Sequence, residues 1–324
     1  VAKAYIIYRN ERAKARDFKY NKEFYTTVLE LLNGKKNDVS KENANKDPRQ
    51  FFTMRDLVAG ETCKKLYKDF VMDKKLLKLH NKGVVHVHDL DYRAMKAMTN
   101  CCLLNLKDML ENGTCIQGKL IHDIHSLQVA VTVTTQIIAA VGSSQYGGIT
   151  INMSHLSPFV AKSKEKYEKI FSTLNDKDEW VEKFLRKEIV DSMQTFQYQL
   201  NSLTTTNGQS PFITVACNTN DVDDEYKDYT ALLIEEFLKQ RIKGMEGPNG
   251  NNINPSFPKI VYILAENNME KDSKYYYLTD LAAECTSKRM VPDYMSEKLS
   301  REYKDGRVIP CMGCRSLLGA WKDE

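Results

Sequence analysis

The stretch LAAECTSKRMVPD, residues 281–293, places a cysteine at the end of an apolar run and sets polar and basic residues directly behind it. Pro292 lacks an N–H and its ring crowds the preceding turn, so it blocks further helix. The pattern predicts a helix over 275–290 that leaves Cys285 at an ordered break. Hydroxyls and cations beside a thiol suit a reactive sulfur facing an anionic ligand. A buried cysteine that packs as a small hydrophobe is the alternative.

Outward from this stretch, predicted strands alternate with long helices, which indicates an α/β fold. Apolar residues at helical spacing predict helices over 19–33, 54–79, 156–174, 179–203 and 228–243, whereas the pattern over 126–141 fits either a strand or a helix. Short β-branched or apolar runs predict strands over 84–88, 212–217 and 257–264. A polar segment over 35–50 is expected to be a loop. No Gly-x-Gly-x-x-Gly and no Walker-type loop follows a predicted strand, so two common nucleotide folds are disfavoured.

Composition narrows the class of protein further. The 324 residues are 42% hydrophobic and 28% charged, which is ordinary for a globular protein that buries a sizeable core. A net charge of +4 gives no reason to expect nucleic-acid binding, so any anion site must be local. No apolar run approaches the roughly 20 residues that span a bilayer. Eight cysteines in a chain of this length fit reduced thiols in a cytoplasm better than a secreted disulfide scaffold.

Four further segments flank the opening stretch in a fixed order. They are VHVHDLDYR (85–93), TNCCL (99–103), SSQYGG (143–148) and MGCRS (312–316). Each is weak alone, but their joint order and spacing are specific. Together they resemble the catalytic subunit of the anaerobic (class III) ribonucleotide reductases, and the resemblance runs from about residue 1 to residue 321.

This resemblance implies a fold and an extent. The glycyl-radical enzymes, to which that family belongs, use a ten-stranded α/β barrel. Residues 18–324 would supply about its first half, plus the loop that carries Cys285 into the barrel's centre. Residues 1–17 are similar to the end of an N-terminal ATP-binding regulatory module or linker. The family's radical-storing glycine and its zinc site lie nearer the C-terminus, so both are expected outside this chain.

The resemblance also implies a pair of cysteines for radical chemistry. Removal of a ribose 2′-hydroxyl becomes easy once a radical stands on the 3′ carbon, which needs one sulfur on the 3′ side of the sugar and a hydrogen donor on the 2′ side. Cys285 matches the family's thiyl-radical cysteine, and Cys101 matches the thiol of the opposite face. Cys102 is expected to pack in the structure, because adjacent side chains point in different directions.

Candidate substrate contacts follow from the resemblance and from the needs of phosphate binding, which calls for cations and hydrogen-bond donors. His88 and Asp89 are expected to hold hydrogen bonds near Cys101. Cys314 is expected beside the site, and whether Cys311 forms a redox dithiol with it stays open. The remaining candidates, for which simple loop hydrogen bonding is an equal alternative, are Ser143, Ser144, Asn207, Ser287, Lys288 and Arg289.

The family binds ATP or deoxynucleotide effectors at a dimer interface, on the helix that corresponds to 124–141 and the loop before it. That points to His122, His125 and Gln136 and predicts a homodimer. A lysine is common at the position of His125. Further expected partners are a ribonucleoside triphosphate, formate or a thiol protein as reductant, and an iron–sulfur activating enzyme that uses S-adenosylmethionine.

Two other functions remain open on the sequence alone. His86 and His88, on one face of a predicted strand, are compatible with a metal-dependent hydrolase, but further ligands at later strand ends are not recognisable, so no metal is expected here. Alternatively, residues 1–324 form a fragment that only dimerises or binds nucleotide. By themselves they are expected to be inactive, because no glycine here stands in the setting of the stored radical.

Overall fold

The computed structural model describes residues 2–35, 47, 49–95, 101–144, 147–206 and 208–313. By its internal contacts the chain divides into two compact units. Unit 1 comprises residues 1–98 together with 206–209, and unit 2 comprises residues 99–205 together with 210–324. The predicted boundary at residue 17 falls inside a continuous helix, α1 (Ala2–Leu32), so the separate module over 1–17 stays a prediction.

Unit 1 is helical. Its helix α2 (Phe51–Leu66) packs on α1, and a π-helical turn over Tyr67–Val71 follows. The helix predicted over 54–79 is in fact two, because Asp73 caps a new helix, α3 (Lys74–Asn81), by accepting from the amides of Lys75 and Leu76. A short α4 (Leu90–Arg93) follows residues 84–89, and its N-cap Asp89 has a left-handed backbone conformation.

The strand predicted over 84–88 is wrong. In the part of the chain that the structure describes, residues 84–88 have no partner in any sheet, although His86 to Asp89 run without helix or turn. The β-branched pair Val84–Val85 suggested a strand but forms a bend, because β-propensity depends on neighbours that nothing local in a sequence specifies.

Unit 2 is built on a parallel sheet of five strands. These are β1 (Cys102–Leu103), β4 (Ile149–Asn152), β5 (Ile213–Cys217), β8 (Lys259–Leu264) and β9 (Asp293–Ser296), in that spatial order. All four neighbouring pairs are parallel. The predicted α/β class is therefore confirmed.

The long helices of unit 2 form one layer. They are α6 (Leu127–Ser144), α7 (Ser157–Ile170), α8 (Lys177–Ser202), α9 (Lys227–Lys243) and α11 (Tyr276–Arg289). Because the strands follow one another across the sheet, right-handed crossovers place their helices on the same face, and α6, α8, α9 and α11 contact one another in that order. The minor elements are α5 (Leu106–Glu111), α10 (Glu266–Met269), α12 (Glu297–Tyr303), β2 (Thr114–Ile116), β3 (Lys119–Ile121), β6 (Met245–Glu246) and β7 (Asn252–Ile253).

Side chains of the central strands alternate between two environments. Ile149 and Ile151 of β4, like Ile213 and Val215 of β5, belong to the apolar core with the helices. Successive residues of a strand point to opposite faces, so Thr150 and Thr214 face away from the helical layer. They are also direct neighbours, since Thr150 pairs with Thr214 in the parallel register.

Helix α6 is the one helix in the described part of the chain that is long and apolar enough to cross a membrane. Half of that stretch is buried within the fold, and core helices of soluble proteins have the same character. Its apolar residues are accounted for by the core of unit 2, where Val131, Val133, Ile137 and Ile138 are buried.

Candidate active site

Cys101 lies at the start of the sheet, directly before β1. The amide of Cys102 donates a hydrogen bond to the carbonyl of Gly148 at 3.0 Å, which holds the backbone before β4 beside the backbone before β1. A Cβ built on Gly148 would lie 3.8 Å from the Sγ of Cys101. The parallel pairing of two short strands therefore brings the motifs TNCCL and SSQYGG together.

Gly313, from the motif MGCRS, packs on the same sulfur. A Cβ on Gly313 would come within 2.6 Å of the Cys101 Sγ, and its φ of +67° lies in the left-handed region. A Cβ on Gly148 would in turn approach the Gly313 Cα to 2.7 Å. Glycine is needed at both positions because any side chain would collide, and at Gly313 because of its backbone conformation as well. Three motifs far apart in sequence thus meet at one cysteine.

Two threonines hold the chain that crosses Cys101. The hydroxyl of Thr150 donates to the carbonyl of Cys311 at 2.6 Å and accepts from the amide of Gly313 at 3.0 Å. The hydroxyl of Thr214 donates to the carbonyl of Gly313 at 2.7 Å. Segment 311–313 therefore lies on the sheet face opposite the helical layer.

Cys285 lies elsewhere, and the prediction that a loop carries it is wrong. It sits on the buried face of α11 with Leu278 and Ala282, and none of its surface is exposed. The helix continues past it to Arg289, and Met290 then adopts a left-handed conformation before Pro292. The helix end that Pro292 predicted is confirmed, but the cysteine lies one turn before it.

The structure does not bring Cys285 and Cys101 together. In the sheet register, Cys102 lies beside Ile149, and Ile149 lies beside Ile213. Cys101 therefore lies one residue before the level of Ile213, towards the N-terminal ends of the strands. The thiol of Cys217, which interacts with that of Cys285, lies four residues above Ile213 on β5. At a rise of about 3.3 Å per residue, the levels of Cys101 and Cys217 differ by about 16 Å.

Burial makes Cys285 a weak nucleophile, and this can be tested chemically. Its apolar surroundings raise the pKa of the Cys285 thiol to about 11, which the positive charges of Arg241 and Arg289 only partly oppose. We expect iodoacetamide at about pH 8 to label the exposed Cys115 in the native protein and to spare Cys285, since only about one thiol in a thousand would be ionised. Peptide mass spectrometry before and after denaturation measures both sites. Equal labelling rates in the native protein would contradict the burial of Cys285.

The predicted phosphate ligands that follow Cys285 have structural partners. Lys288 forms an ion pair with Glu284 at 2.6 Å, and the hydroxyl of Ser287 donates to the carbonyl of Glu284. Arg289 donates from Nε to the carbonyl of Ile242 at 2.9 Å, at the end of α9. These contacts occupy the three side chains at helix C-termini, where cations and donors are favoured, and do not direct them towards Cys101.

Ser143 and Ser144 form the last turn of α6, a few residues before Gly148. Their hydroxyls donate to the carbonyls of Ala139 and Ala140, at 2.7 and 3.1 Å. Of the predicted substrate ligands outside unit 1, these two lie nearest to Cys101 along the chain. Asn207 and Cys314 lie outside the described residues.

His88 and Asp89 belong to unit 1. His88 Nε2 lies 3.2 Å from Asp89 Oδ1, and its Nδ1 lies 3.4 Å from His86 Nε2. Burial raises the pKa of Asp89, and the charges of His88 and Arg93 oppose that shift. Among the described residues no group of three or more His, Cys, Asp or Glu side chains is arranged to hold a metal, so the hydrolase reading of His86 and His88 finds no further ligand there. Hydrogen bonds from His88 and Asp89 near Cys101 stay a prediction.

The three predicted effector residues lie along α6 and the loop before it. His122 pairs with Asp123 at 2.7 Å, and Gln136 is exposed on α6. His125 lines a surface groove with residues of α7. The cations of that groove, which the sequence reading missed, are Lys162, Lys166 and Lys169. Their spacing by four and three residues on a helix was the available signal, because it puts them on one face.

Thr150 and Thr214 were missed as well. Each is the second residue of a strand that begins Ile-Thr, at 149–150 and 213–214. A threonine between buried isoleucine and valine neighbours indicates a position on the other face of the sheet. The segment that binds on that face is residues 311–313, about a hundred or more residues further along the chain. No local pattern in the sequence indicates this contact.

The fold has counterparts among solved structures. It is similar to the anaerobic ribonucleotide reductase from Thermotoga maritima solved in complex with dATP and CTP, with a TM-score of 0.55 at 14% identity over 85% of this chain and 50% of that chain. The structure of that enzyme with citrate in the active site aligns with a TM-score of 0.51. The predicted architecture, about half of the α/β catalytic domain of such a reductase, agrees with this likeness.

The sequence identifies the family itself. Residues 42–324 match the model of the family "Anaerobic ribonucleoside-triphosphate reductase", and the chain belongs to that family. The reductase of that name from Enterobacteria phage T4 is 39% identical over 90% of this chain and 48% of its own length. The one from Haemophilus influenzae is 37% identical over the whole of this chain and 45% of its own length. The chain thus spans about half the length of these curated relatives.

Proposed function

We propose that the complete protein reduces ribonucleoside triphosphates to 2′-deoxyribonucleoside triphosphates by thiyl-radical chemistry, for DNA precursor synthesis in an anaerobic cytoplasm. The observation that carries the proposal is the meeting of Cys101, Gly148 and Gly313, in which three family-like motifs converge on one half-buried thiol. Family membership supports the same chemistry. The opposing hydrolase reading has two adjacent histidines and no third ligand among the described residues.

The chemistry requires two sulfurs, one on each side of the ribose. A glycyl radical on a segment outside this chain would supply the unpaired electron. Cys101 provides the thiol on the 2′ side: the 2′-hydroxyl takes up a proton and leaves as water, Cys101 gives the sugar radical a hydrogen atom, and the reductant, formate or a thiol protein, supplies the two electrons and two protons of the net reaction. Gly148 and Gly313 pack against Cys101 and leave its thiol half-buried.

We place the second sulfur on segment 311–314 and not on Cys285. Gly313 packs against Cys101, and Cys314 is the next residue in the sequence. Cys285 lies in the apolar core, level with Cys217 at the other end of the strands. Cys314 is therefore the better candidate for the thiyl radical, and Cys285 the better candidate for a packing role.

Substrate and effector sites follow from the same family assignment. Ser143 and Ser144, in the turn that leads to Gly148, stay candidates for substrate contacts together with His88 and Asp89 of unit 1. For the ATP or deoxynucleotide effector, the groove of His125, Lys162, Lys166 and Lys169 offers the cations that a phosphate chain needs. Formate or a thiol protein would supply the electrons, and an iron–sulfur enzyme using S-adenosylmethionine would install the glycyl radical. A zinc site would lie beyond residue 324.

A homodimer belongs to the same proposal. The apolar surface of α6 that was expected to bury against a second copy is largely used inside this chain, since Val131, Val133, Ile137 and Ile138 are buried in its core, whereas Val129 is 42% exposed. A contact through α6 would therefore use the face that carries Val129 and Gln136. We expect the complete protein to run as a dimer in light scattering and Gln136→Arg to shift it towards monomer, because two cations would meet across an isologous contact. A wild-type monomer at high concentration would contradict the proposal.

The function is tested by a strictly anaerobic assay of the complete protein with an activating enzyme and S-adenosylmethionine. We expect a glycyl-radical signal in electron paramagnetic resonance and conversion of ribonucleoside to deoxyribonucleoside triphosphates. A radical signal without any deoxynucleotide from any of the four substrates would sink the proposal. Metal-dependent hydrolysis of the same nucleotides would favour the His86 and His88 reading instead.

A further inference from the structure

We propose that Thr150 and Thr214 are positioning residues whose hydroxyls hold segment 311–313 against Cys101 and thereby fix the surroundings of the Cys101 thiol. The inference rests on the proposed function. It concerns two residues that no sequence motif singles out and that touch no reacting atom.

The contact has the form of a clamp on a tripeptide. Thr150 uses its single hydroxyl twice, as donor to the carbonyl of Cys311 and as acceptor from the amide of Gly313, at 2.6 and 3.0 Å. Thr214 takes the remaining polar group of Gly313, its carbonyl, at 2.7 Å. Both backbone polar groups of Gly313 are thereby fixed by side chains of the sheet.

The two hydroxyls stand on a rigid base. Thr150 and Thr214 are direct neighbours in the parallel register of β4 and β5, the second and third strands of five. They are 1% and 3% exposed, so water competes little for their hydrogen bonds. Threonine is β-branched and stiff at χ1, which fixes the direction of each hydroxyl more firmly than serine would.

Glycine at position 313 explains why side-chain hydroxyls do this task. The segment approaches Cys101 and Gly148 so closely that no Cβ fits, so packing by a side chain of residue 313 is not available to hold it. Hydrogen bonds to its backbone are the means that remain. Radical transfer between two sulfurs and a sugar depends on their separation, and a misplacement of about 1 Å can cost roughly a hundredfold in rate.

Isosteric substitutions separate the hydroxyl from the shape of the side chain. Thr150→Val and Thr214→Val keep the branched shape and lose the hydroxyl, whereas Thr150→Ser and Thr214→Ser keep the hydroxyl. Thr230→Val is the matched control, because Thr230 is fully buried and its hydroxyl donates to the carbonyl of Tyr226 within its own helix region. It reports the cost of losing a buried hydroxyl away from Cys101.

Two measurements on the complete protein test the clamp. In hydrogen exchange with mass spectrometry, we expect the peptide that contains Gly313 to lose protection in Thr150→Val, and to keep it in Thr150→Ser and Thr230→Val. In anaerobic turnover, we expect each valine variant of the clamp to lower kcat by roughly tenfold to a hundredfold with KM changed less than about threefold. The serine variants and Thr230→Val should stay within about threefold of wild type.

The outcomes distinguish this inference from the proposed function. Unchanged exchange at Gly313 in Thr150→Val overturns the clamp whatever the protein catalyses. Lost protection in a protein whose wild type forms no deoxynucleotide leaves the clamp standing and refutes the function. Valine variants that lose protection but keep wild-type kcat overturn the positioning role. A kcat loss in Thr230→Val equal to that in Thr150→Val would also overturn it, because the effect would then be one of general stability.

Discussion

Replacing Cys101 by serine should reduce deoxynucleotide formation by the complete protein at least about a thousandfold, equivalent to about 4 kcal/mol of transition-state stabilisation. An alcohol O–H bond is much stronger than a thiol S–H bond, so serine cannot give up a hydrogen atom to a sugar radical. The side chain otherwise differs little in size, and nucleotide binding should stay nearly intact. An anaerobic assay with each substrate, beside equilibrium binding of the same nucleotide, measures both effects.

Serine substitutions of three other cysteines serve as comparisons. Cys102→Ser should be far milder, because Cys102 takes part in β1 and its backbone pairing to Gly148 does not depend on its sulfur. Cys314→Ser should match Cys101→Ser. Cys285→Ser should lower stability by about 1–3 kcal/mol, because it buries a hydroxyl in the apolar core, while the folded fraction keeps its turnover.

Two results would change the assignments. Retained turnover in Cys101→Ser would remove Cys101 from the reaction. Loss of all turnover in Cys285→Ser at an unchanged melting temperature would return the thiyl role to Cys285, against its position in the core. Thermal unfolding of each variant is therefore measured with the assay.

The long helices of unit 2 were predictable because periodic apolar residues extend over many turns. The segments expected over 179–203 and 228–243 agree with α8 and α9 to within two residues at each end. The strands β5 and β8 were also found, since apolar residues predominate over 212–217 and five stand in a row from Ile260 to Leu264. Three strands of the five-stranded sheet were missed, β1 with two residues and β4 and β9 with four each, because so few residues carry no periodicity and owe their pairing to neighbours far away in sequence.

The site was predictable only in part, because local sequence patterns do not show which distant segments meet. The motifs around Cys101, Gly148 and Gly313 were recognised, and the structure brings those three residues together. Cys285 was matched to the family's thiyl-radical cysteine in a setting of hydroxyls and cations, and that role stays a prediction, but a helix end attracts the same residue types. Lys288 and Arg289 serve there as an intrahelical ion pair and as a donor to carbonyls at the end of α9. Local composition could not distinguish the two uses.

Gly313→Ala should lose turnover by roughly a hundredfold or more while the protein stays folded. Alanine at φ +67° costs about 1–2 kcal/mol by itself. Its Cβ would in addition lie 2.6 Å from the Cys101 Sγ and 3.1 Å from the Cys101 Cβ, closer than atoms can pack. Segment 311–313 or Cys101 must therefore shift, and the two threonine contacts to the segment would be strained or broken.

Gly306→Ala is the matched control, because it carries the backbone strain without the collision. Gly306 lies on the same stretch of chain at φ +79°, and a Cβ there would meet nothing within 4 Å. We expect Gly306→Ala to lower the melting temperature by a few degrees and to keep its turnover within about threefold, since a loss of about 1 kcal/mol shifts the midpoint of a domain of this size only slightly. If Gly313→Ala behaves like Gly306→Ala in both measurements, the close approach to Cys101 has no part in the reaction. If only Gly313→Ala loses turnover, at a similar melting temperature, the separation between Cys101 and segment 311–313 controls the chemistry.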